Sequence, residues 1–206
     1  EGKKDVLGIW IGEAEGAKFW LKVCTELQNR GVKDIFIACI DGLKALPDAI
    51  RMVFPLVEIQ LCIVHMIRNS LKFVPHRLGK EFMVDLKEVY KAPTEEIAYH
   101  NLEKLQDKWE SKYALAVRPW IVHWDNIKTF FSFPEQIRTM IYTTNAVESV
   151  HRQLRKVTKN KAMFPTDESL VKMLFLAIRD VSKKWTMPLH GWKTIISHLS
   201  IVYGDR

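Results

Sequence analysis

The sequence predicts an α/β fold interrupted by an all-helical stretch. Three observations carry that expectation. Residues 6–63 alternate between strand-like and helix-like hydrophobic periods. Residues 66–141 hold helical stripes and no clear strand. From Thr143 onward the pattern is helical again, beginning with a helix that has one basic face.

The apolar run Val6-Leu7-Gly8-Ile9-Trp10-Ile11 predicts a first strand, ended by Gly12. A helix is expected from about Ala14 to Asn29. Its Trp20, Val23, Cys24 and Leu27 fall on one face, and Arg30-Gly31 closes it. The unbroken run Ile35-Phe36-Ile37-Ala38-Cys39-Ile40 reads as a strand buried on both faces. It stops at Asp41 and Gly42, the glycine permitting a tight exit. Asp41 then has two readings. It is either a cap for the helix that follows or a carboxylate at the mouth of an α/β sheet, where ligands bind. Leu46, Ala49, Ile50 and Val53 make the next helical stripe, which Pro55 ends. Over Val57–Ile63 the period becomes two, as in a strand with one polar face. Strand, helix, strand, helix, strand in this order predicts parallel pairing.

In the middle of the chain Pro93-Thr94-Glu95-Glu96 is a helix start signal, and Ala98, Leu102, Leu105 and Trp109 share one face. Val117, Trp120, Ile121 and Trp124 form another stripe, and Phe130, Phe131 and Phe133 precede Pro134. These aromatics read as the core of a helical subdomain or as a stacking platform for bases.

On the helix that Thr143-Thr144-Asn145 starts, each residue advances about 100°. His151, Arg152, Arg155, Lys156 and Lys159 fall on the side of Glu148, and Ala146, Val147, Val150, Leu154 and Val157 lie opposite. Arg152, Arg155, Lys156, Lys159 and Lys161 against one Glu suit an anionic partner; the alternative is a plain surface helix. Two packing helices complete the chain. The first, near 167–184, is apolar at Leu170, Met173, Leu174, Ala177 and Val181; the second carries Trp192, Ile195, Ile196 and Leu199.

Bulk properties narrow the class. With 206 residues, 48% hydrophobic and 27% charged, the chain is globular rather than disordered. Its 31 basic and 24 acidic residues give a net charge of +7 and permit a nucleic-acid partner. Cys24, Cys39 and Cys62 are widely spaced in apolar stretches and read as reduced core thiols, not as a disulfide framework. No run of about 18 apolar residues predicts a membrane span, and no signal-peptide pattern opens the chain. Glu1-Gly2-Lys3-Lys4-Asp5 has no initiating Met, so the natural chain is expected to start further upstream.

Four ordered motifs carry a resemblance. They are Ala38-Cys39-Ile40-Asp41-Gly42-Leu43-Lys44, the run Gln60-Leu61-Cys62-Ile63-Val64-His65-Met66-Ile67-Arg68-Asn69, then Tyr142-Thr143-Thr144-Asn145-Ala146-Val147-Glu148-Ser149, and Arg152-Gln153-Leu154-Arg155-Lys156-Val157-Thr158-Lys159-Asn160. Together they resemble the Mutator-type transposases of bacterial insertion sequences, over essentially the whole chain. Ala45 and Ala162 depart from the family, which often has glycine there.

The resemblance implies a ribonuclease-H-like core, with an Asp-Asp-Glu triad and an all-α insertion. It implies residues 1–65 as the first part of that core, 66–141 as the insertion, and 142–206 as the completion of the core. Asp41 becomes the second Asp and Glu148 the Glu, both holding metal. The first Asp is expected upstream of residue 1, since no acid of this chain matches it. The implied activity cuts and joins element ends by metal-dependent phosphodiester transfer, with two Mg2+ or Mn2+ ions in the complete enzyme. The implied partners are the terminal inverted repeats and target DNA, and further copies of the chain in the active complex. The implied location is the bacterial cytoplasm, at the nucleoid. Arg152, Arg155, Lys156, Lys159 and Lys161 would hold DNA phosphates, which positions DNA without reading its sequence.

Cys62 and His65 invite a zinc reading, but a closed zinc site needs about four ligands, and no second Cys-His pair lies near. The resemblance makes them support for the acids instead. With its triad incomplete, residues 1–206 alone are expected to be inactive. The rival to a transposase catalytic core is a non-catalytic remnant that binds DNA or pairs with an intact transposase.

Overall fold

The computed structural model describes residues 2–42, 45–142, 145–159, 163–204 and 206, with the side chains of Asn145, Ala146 and Glu148 outside the description. In chain order the elements are α1 (Ala17–Asn29), β1 (Ile37–Ile40), α2 (Leu46–Val53), β2 (Glu58–Leu61), α3 (Ile63–Leu71), α4 (His76–Tyr90) and α5 (Glu95–Val122). Then follow α6 (Trp124–Lys128), a 3-10 turn (Thr129–Ser132), α7 (Glu135–Tyr142), α8 (Asn145–Thr158), α9 (Asp167–Ser182) and α10 (Trp192–Tyr203). They form two compact units. One comprises Ile35–Pro47 and Leu56–Tyr142; the other comprises Glu1–Asp34, Asp48–Pro55 and Thr143–Arg206. This division cuts the chain at different points from the 1–65, 66–141 and 142–206 partition.

The first unit joins a small sheet to a helical body. β1 and β2 pair in parallel, with Cys39 opposite Gln60 and Ile40 opposite Leu61. The ladder continues past both ends, Glu58 N–H donating to the Phe36 carbonyl (2.9 Å) and Cys62 N–H to that of Ile40 (2.7 Å). Parallel pairing is as the sequence predicts, but burial is not. Cys39 is exposed, and within β1 only Ile40 is fully buried, because β2 is its one described neighbour. The polar face expected on β2 is also absent. Gln60 is completely buried, its amide donating to the Leu61 carbonyl at 2.8 Å, because α6 and the 3-10 turn pack over this strand.

The helices of this unit follow local rules. Thr94 caps α5, its hydroxyl accepting from Ile97 N–H at 3.4 Å, and Ala98, Leu102, Leu105 and Trp109 are all buried. The helix kinks at Tyr113, which is non-helical (φ −133°, ψ 49°). Pro119 lacks the N–H that would bond the Leu115 carbonyl. Phe82 meets Trp109 edge-on at 5.2 Å, and the Trp109 indole donates to Asp85 at 2.7 Å. Trp120, Phe130, Phe131 and Phe133 are at most 7% exposed. Their rings are spent on packing, so the stacking-platform reading of these residues falls.

In the second unit, α1 ends as its sequence predicts. Val32 N–H bonds the Leu27 carbonyl (3.1 Å) across Gly31, whose φ of +100° favours glycine. Arg206 grips Asp34 with two hydrogen bonds of 2.9 and 3.0 Å, and α8 packs on α9. Residues 6–11 form no ladder, contrary to expectation. Their polar groups find side chains of the α1 region instead: Arg30 donates to the Leu7 carbonyl and the Trp10 indole to Glu26 at 2.8 Å. The apolar stripes of the later helices are also more open than expected. No described residue of α9 is fully buried, and Val147 and Ile196 are exposed.

Candidate active site

Asp41 follows the last residue of β1, and Cys62 follows the last residue of β2. Parallel pairing therefore brings both to the carboxyl end of the sheet, where ligands bind in α/β proteins. Gly42 turns the chain there with φ +95°, as its sequence position predicts. A helix cap must directly precede its helix; α2 begins only at Leu46, so Asp41 is not its cap.

Asp41 and Cys62 share a cavity of about 380 Å³. Asn69 and Lys72 of the α3 end, and Pro119 and His123 of the α5 end, help line it. Lys72 Nζ donates to Asn69 Oδ1 at 2.9 Å. Asp41 is exposed, so its carboxylate is available from solvent. Burial pushes the Cys62 thiol up; the N–H groups of His65 and Val64 at the start of α3 pull it back, Asp41 adds to the rise and Arg68 opposes it. The result is a thiol that stays protonated at neutral pH. The backbone of His65 thus faces the Cys62 sulfur at this corner.

The donor set tests the metal expectation. Asp41 offers the hard oxygen that Mg2+ or Mn2+ prefers, and a protonated thiol does not. Among the described residues no three His, Cys, Asp or Glu side chains gather as a metal site. Asp41 therefore offers an oxygen of the kind a divalent ion takes.

The second unit carries the basic helix. α8 runs continuously through position 148, so positions 152 and 155 lie one and two turns along the same face. Arg152, Arg155, Lys156 and Lys159 are exposed, and among the described residues none of them is in an ion pair. The side chain of Glu148 lies outside the description, as do Lys161 and the motif residues Leu43, Lys44, Thr143, Thr144 and Asn160. Sequence reasoning missed Lys72 and His123 as neighbours of Asp41. No local signal links them, because His123 reaches the cavity only through the fold of α5.

The first unit thus presents an exposed carboxylate at the end of a parallel strand, and in the second unit α8 presents exposed cations. The chain belongs to the Mutator family of transposases, whose family model matches residues 1–188. It is 39% identical to the transposase for insertion sequence element ISRM3 of Rhizobium meliloti (strain 1021), over 100% of this chain and 52% of that protein. It is 40% identical to a probable transposase for an ISRM3-like element of Sinorhizobium fredii (strain NBRC 101917 / NGR234), with the same coverage. A probable insertion-element transposase of Corynebacterium diphtheriae is 38% identical over 100% of this chain and 66% of that protein. The chain thus spans about half the length of the first two relatives. No helix among the described residues is long and apolar enough to cross a membrane.

Proposed function

We propose that this chain supplies two of the three catalytic carboxylates of a DNA transposase, Asp41 and Glu148, on a ribonuclease-H-like core that residues 66–141 interrupt. The observation that carries the proposal is Asp41 itself: an exposed acid at the end of a parallel strand, on the rim of a cavity. Family membership supports transposition as the setting.

The residues divide the work by chemistry. Asp41 and Glu148 hold hard divalent cations through carboxylate oxygens. Ions held there would supply charge stabilisation for the attacking and leaving oxygens. Lys72, on the wall of the same cavity, attracts the phosphate whose bond is exchanged. Cys62 stays protonated beside Asp41, so it adds no second negative charge against the DNA. Arg152, Arg155, Lys156, Lys159 and Lys161 hold the flanking phosphates of the element end or of target DNA. The complete reaction is the work of an assembly of several copies, acting on DNA in the bacterial cytoplasm.

Two results are expected. Residues 1–206 alone give no joined product from labelled element ends with Mg2+, because two carboxylates hold a reluctantly dehydrating ion weakly. A joined product from this chain overturns the incomplete triad. On duplex DNA, Arg155→Ala with Lys156→Ala flattens the slope of log affinity against log salt by up to about 2 units, since each phosphate contact contributes roughly −0.9. The loss is equal on unrelated sequences. Val150→Ala, half-buried on the other side of α8, costs about 1 kcal/mol of stability and leaves the slope alone. Fluorescence anisotropy over a salt series reads all three proteins; an unchanged slope in the double variant removes α8 from the DNA path.

A further inference from the structure

The first unit has a second cavity, of about 350 Å³, separate in its lining from the one beside Asp41. That volume is at the low end for small-ligand sites. Its wall joins the end of α4 to α7: Tyr90 and Lys91 on one side, Glu135, Arg138 and Tyr142 on the other, with Phe130 beside them. Tyr90 and Tyr142 stack at 5.7 Å with their planes 14° apart. Tyr90 is buried and Tyr142 half-buried, so Tyr142 is the outer ring of the pair. The exposed Lys91 lays its ammonium 5.0 Å from the centre of the Tyr142 ring.

Arg138 is the other cation, and its hydrogen bonds are committed. It donates to the carbonyls of Phe133 (2.5 Å), Ala92 (3.1 Å), Pro93 (2.9 Å) and Phe131 (2.8 Å). It builds the wall and supplies a fixed positive charge, while Lys91 is exposed and makes its described contact with the Tyr142 ring face. Glu135 decides between two kinds of ligand. A carboxylate on the wall repels a free phosphate held inside, but it accepts a hydrogen bond from an exocyclic base amine, as in carboxylate contacts to cytosine.

We infer that this cavity takes one unpaired nucleotide of DNA, its base stacked on Tyr142 and its phosphate met by Lys91. A pre-stacked tyrosine pair is already ordered, so a base added to it gains stacking at little ordering cost. Lys91 leaves the ring face as the base arrives and keeps its charge near the backbone. Unpaired nucleotides are what strand breakage and joining expose, so the inference rests on the proposed role in DNA transposition.

The test uses residues 1–206 with a single-stranded oligonucleotide carrying 2-aminopurine and with a duplex of the same length. The wild-type protein and Tyr142→Phe bind the single strand and quench its 2-aminopurine by stacking. Tyr142→Ala binds it about tenfold more weakly, in line with one lost stacking contact, without quenching, and binds the duplex as wild type does. Lys91→Ala flattens the single-strand salt slope by about 0.7 and, being on the surface, leaves thermal melting unchanged. Full quenching by Tyr142→Ala, or equal losses on both DNAs, overturns the inference. So does a wild-type slope in Lys91→Ala, which decides the matter even where Tyr142→Ala misfolds. A wild-type protein that binds duplex without quenching the single strand removes this cavity alone. One that binds neither DNA removes the DNA-handling role with it.

Discussion

In a transposase of the relatives' full length that carries this chain, Asp41→Asn is expected to lower end cleavage by roughly three orders of magnitude. The substitution keeps the shape of the side chain and removes its charge. Charge stabilisation by a bound metal is worth several kcal/mol, and each 1.36 kcal/mol is about tenfold in rate. Asp41 is exposed, so its replacement disturbs little packing, and thermal melting should match wild type within a few degrees. Glu148→Gln is expected to act alike, since either loss leaves the ions short of a ligand. The measurement is cleavage of labelled element ends in Mg2+, beside a melting curve. Wild-type cleavage by Asp41→Asn would leave Asp41 as a surface acid at a strand end and return the catalytic assignment to other acids.

The largest expected stability effect lies far from those acids, at Trp120. Its side chain is fully buried, the indole N–H donates to Ser70 Oγ at 2.9 Å, and that hydroxyl donates onward to the Ala116 carbonyl at 2.8 Å. Trp120→Ala therefore opens a cavity and breaks a chain of buried hydrogen bonds tying α5 to α3. Buried aromatic truncations cost about 3–5 kcal/mol, a large part of the roughly 5–15 kcal/mol that stabilises an ordinary domain. Trp120→Phe keeps much of the volume but removes the N–H that Ser70 Oγ accepts, while the Ser70 bond to the Ala116 carbonyl remains, at about 1 kcal/mol. Urea denaturation followed by circular dichroism should rank wild type, Phe and Ala in that order. If the Ala variant stays within 1 kcal/mol of wild type, this cluster is not the core of its unit.

Asp41 was legible because its signal is local. An apolar run that stops at an acid and a glycine specifies a strand, its end and a turn, and Gly42 has the positive φ such an exit needs. The basic face of α8 was legible for a similar reason, since helical spacing alone gathers Arg152, Arg155, Lys156 and Lys159. The strand expected at residues 6–11 shows where local pattern stops. An apolar run is permissive for a ladder, but a ladder needs a neighbour, and here the Leu7 carbonyl and the Trp10 indole find Arg30 and Glu26 instead.

By itself the sequence determined the parallel β1–β2 pair, the helices with their Thr94 and Gly31 ends, and the family, because each rests on neighbouring residues or on ordered motifs. Only the tertiary structure decided which faces are covered. It buried Gln60 under α6 and the 3-10 turn, sealed Phe130, Phe131 and Phe133 into a core, and brought Lys72 and His123 to the cavity of Asp41. It likewise stacked Tyr142 on Tyr90. Hydrophobic period reports the direction in which a side chain leaves its own backbone; what it meets there belongs to segments tens of residues away, and packing alone selects them.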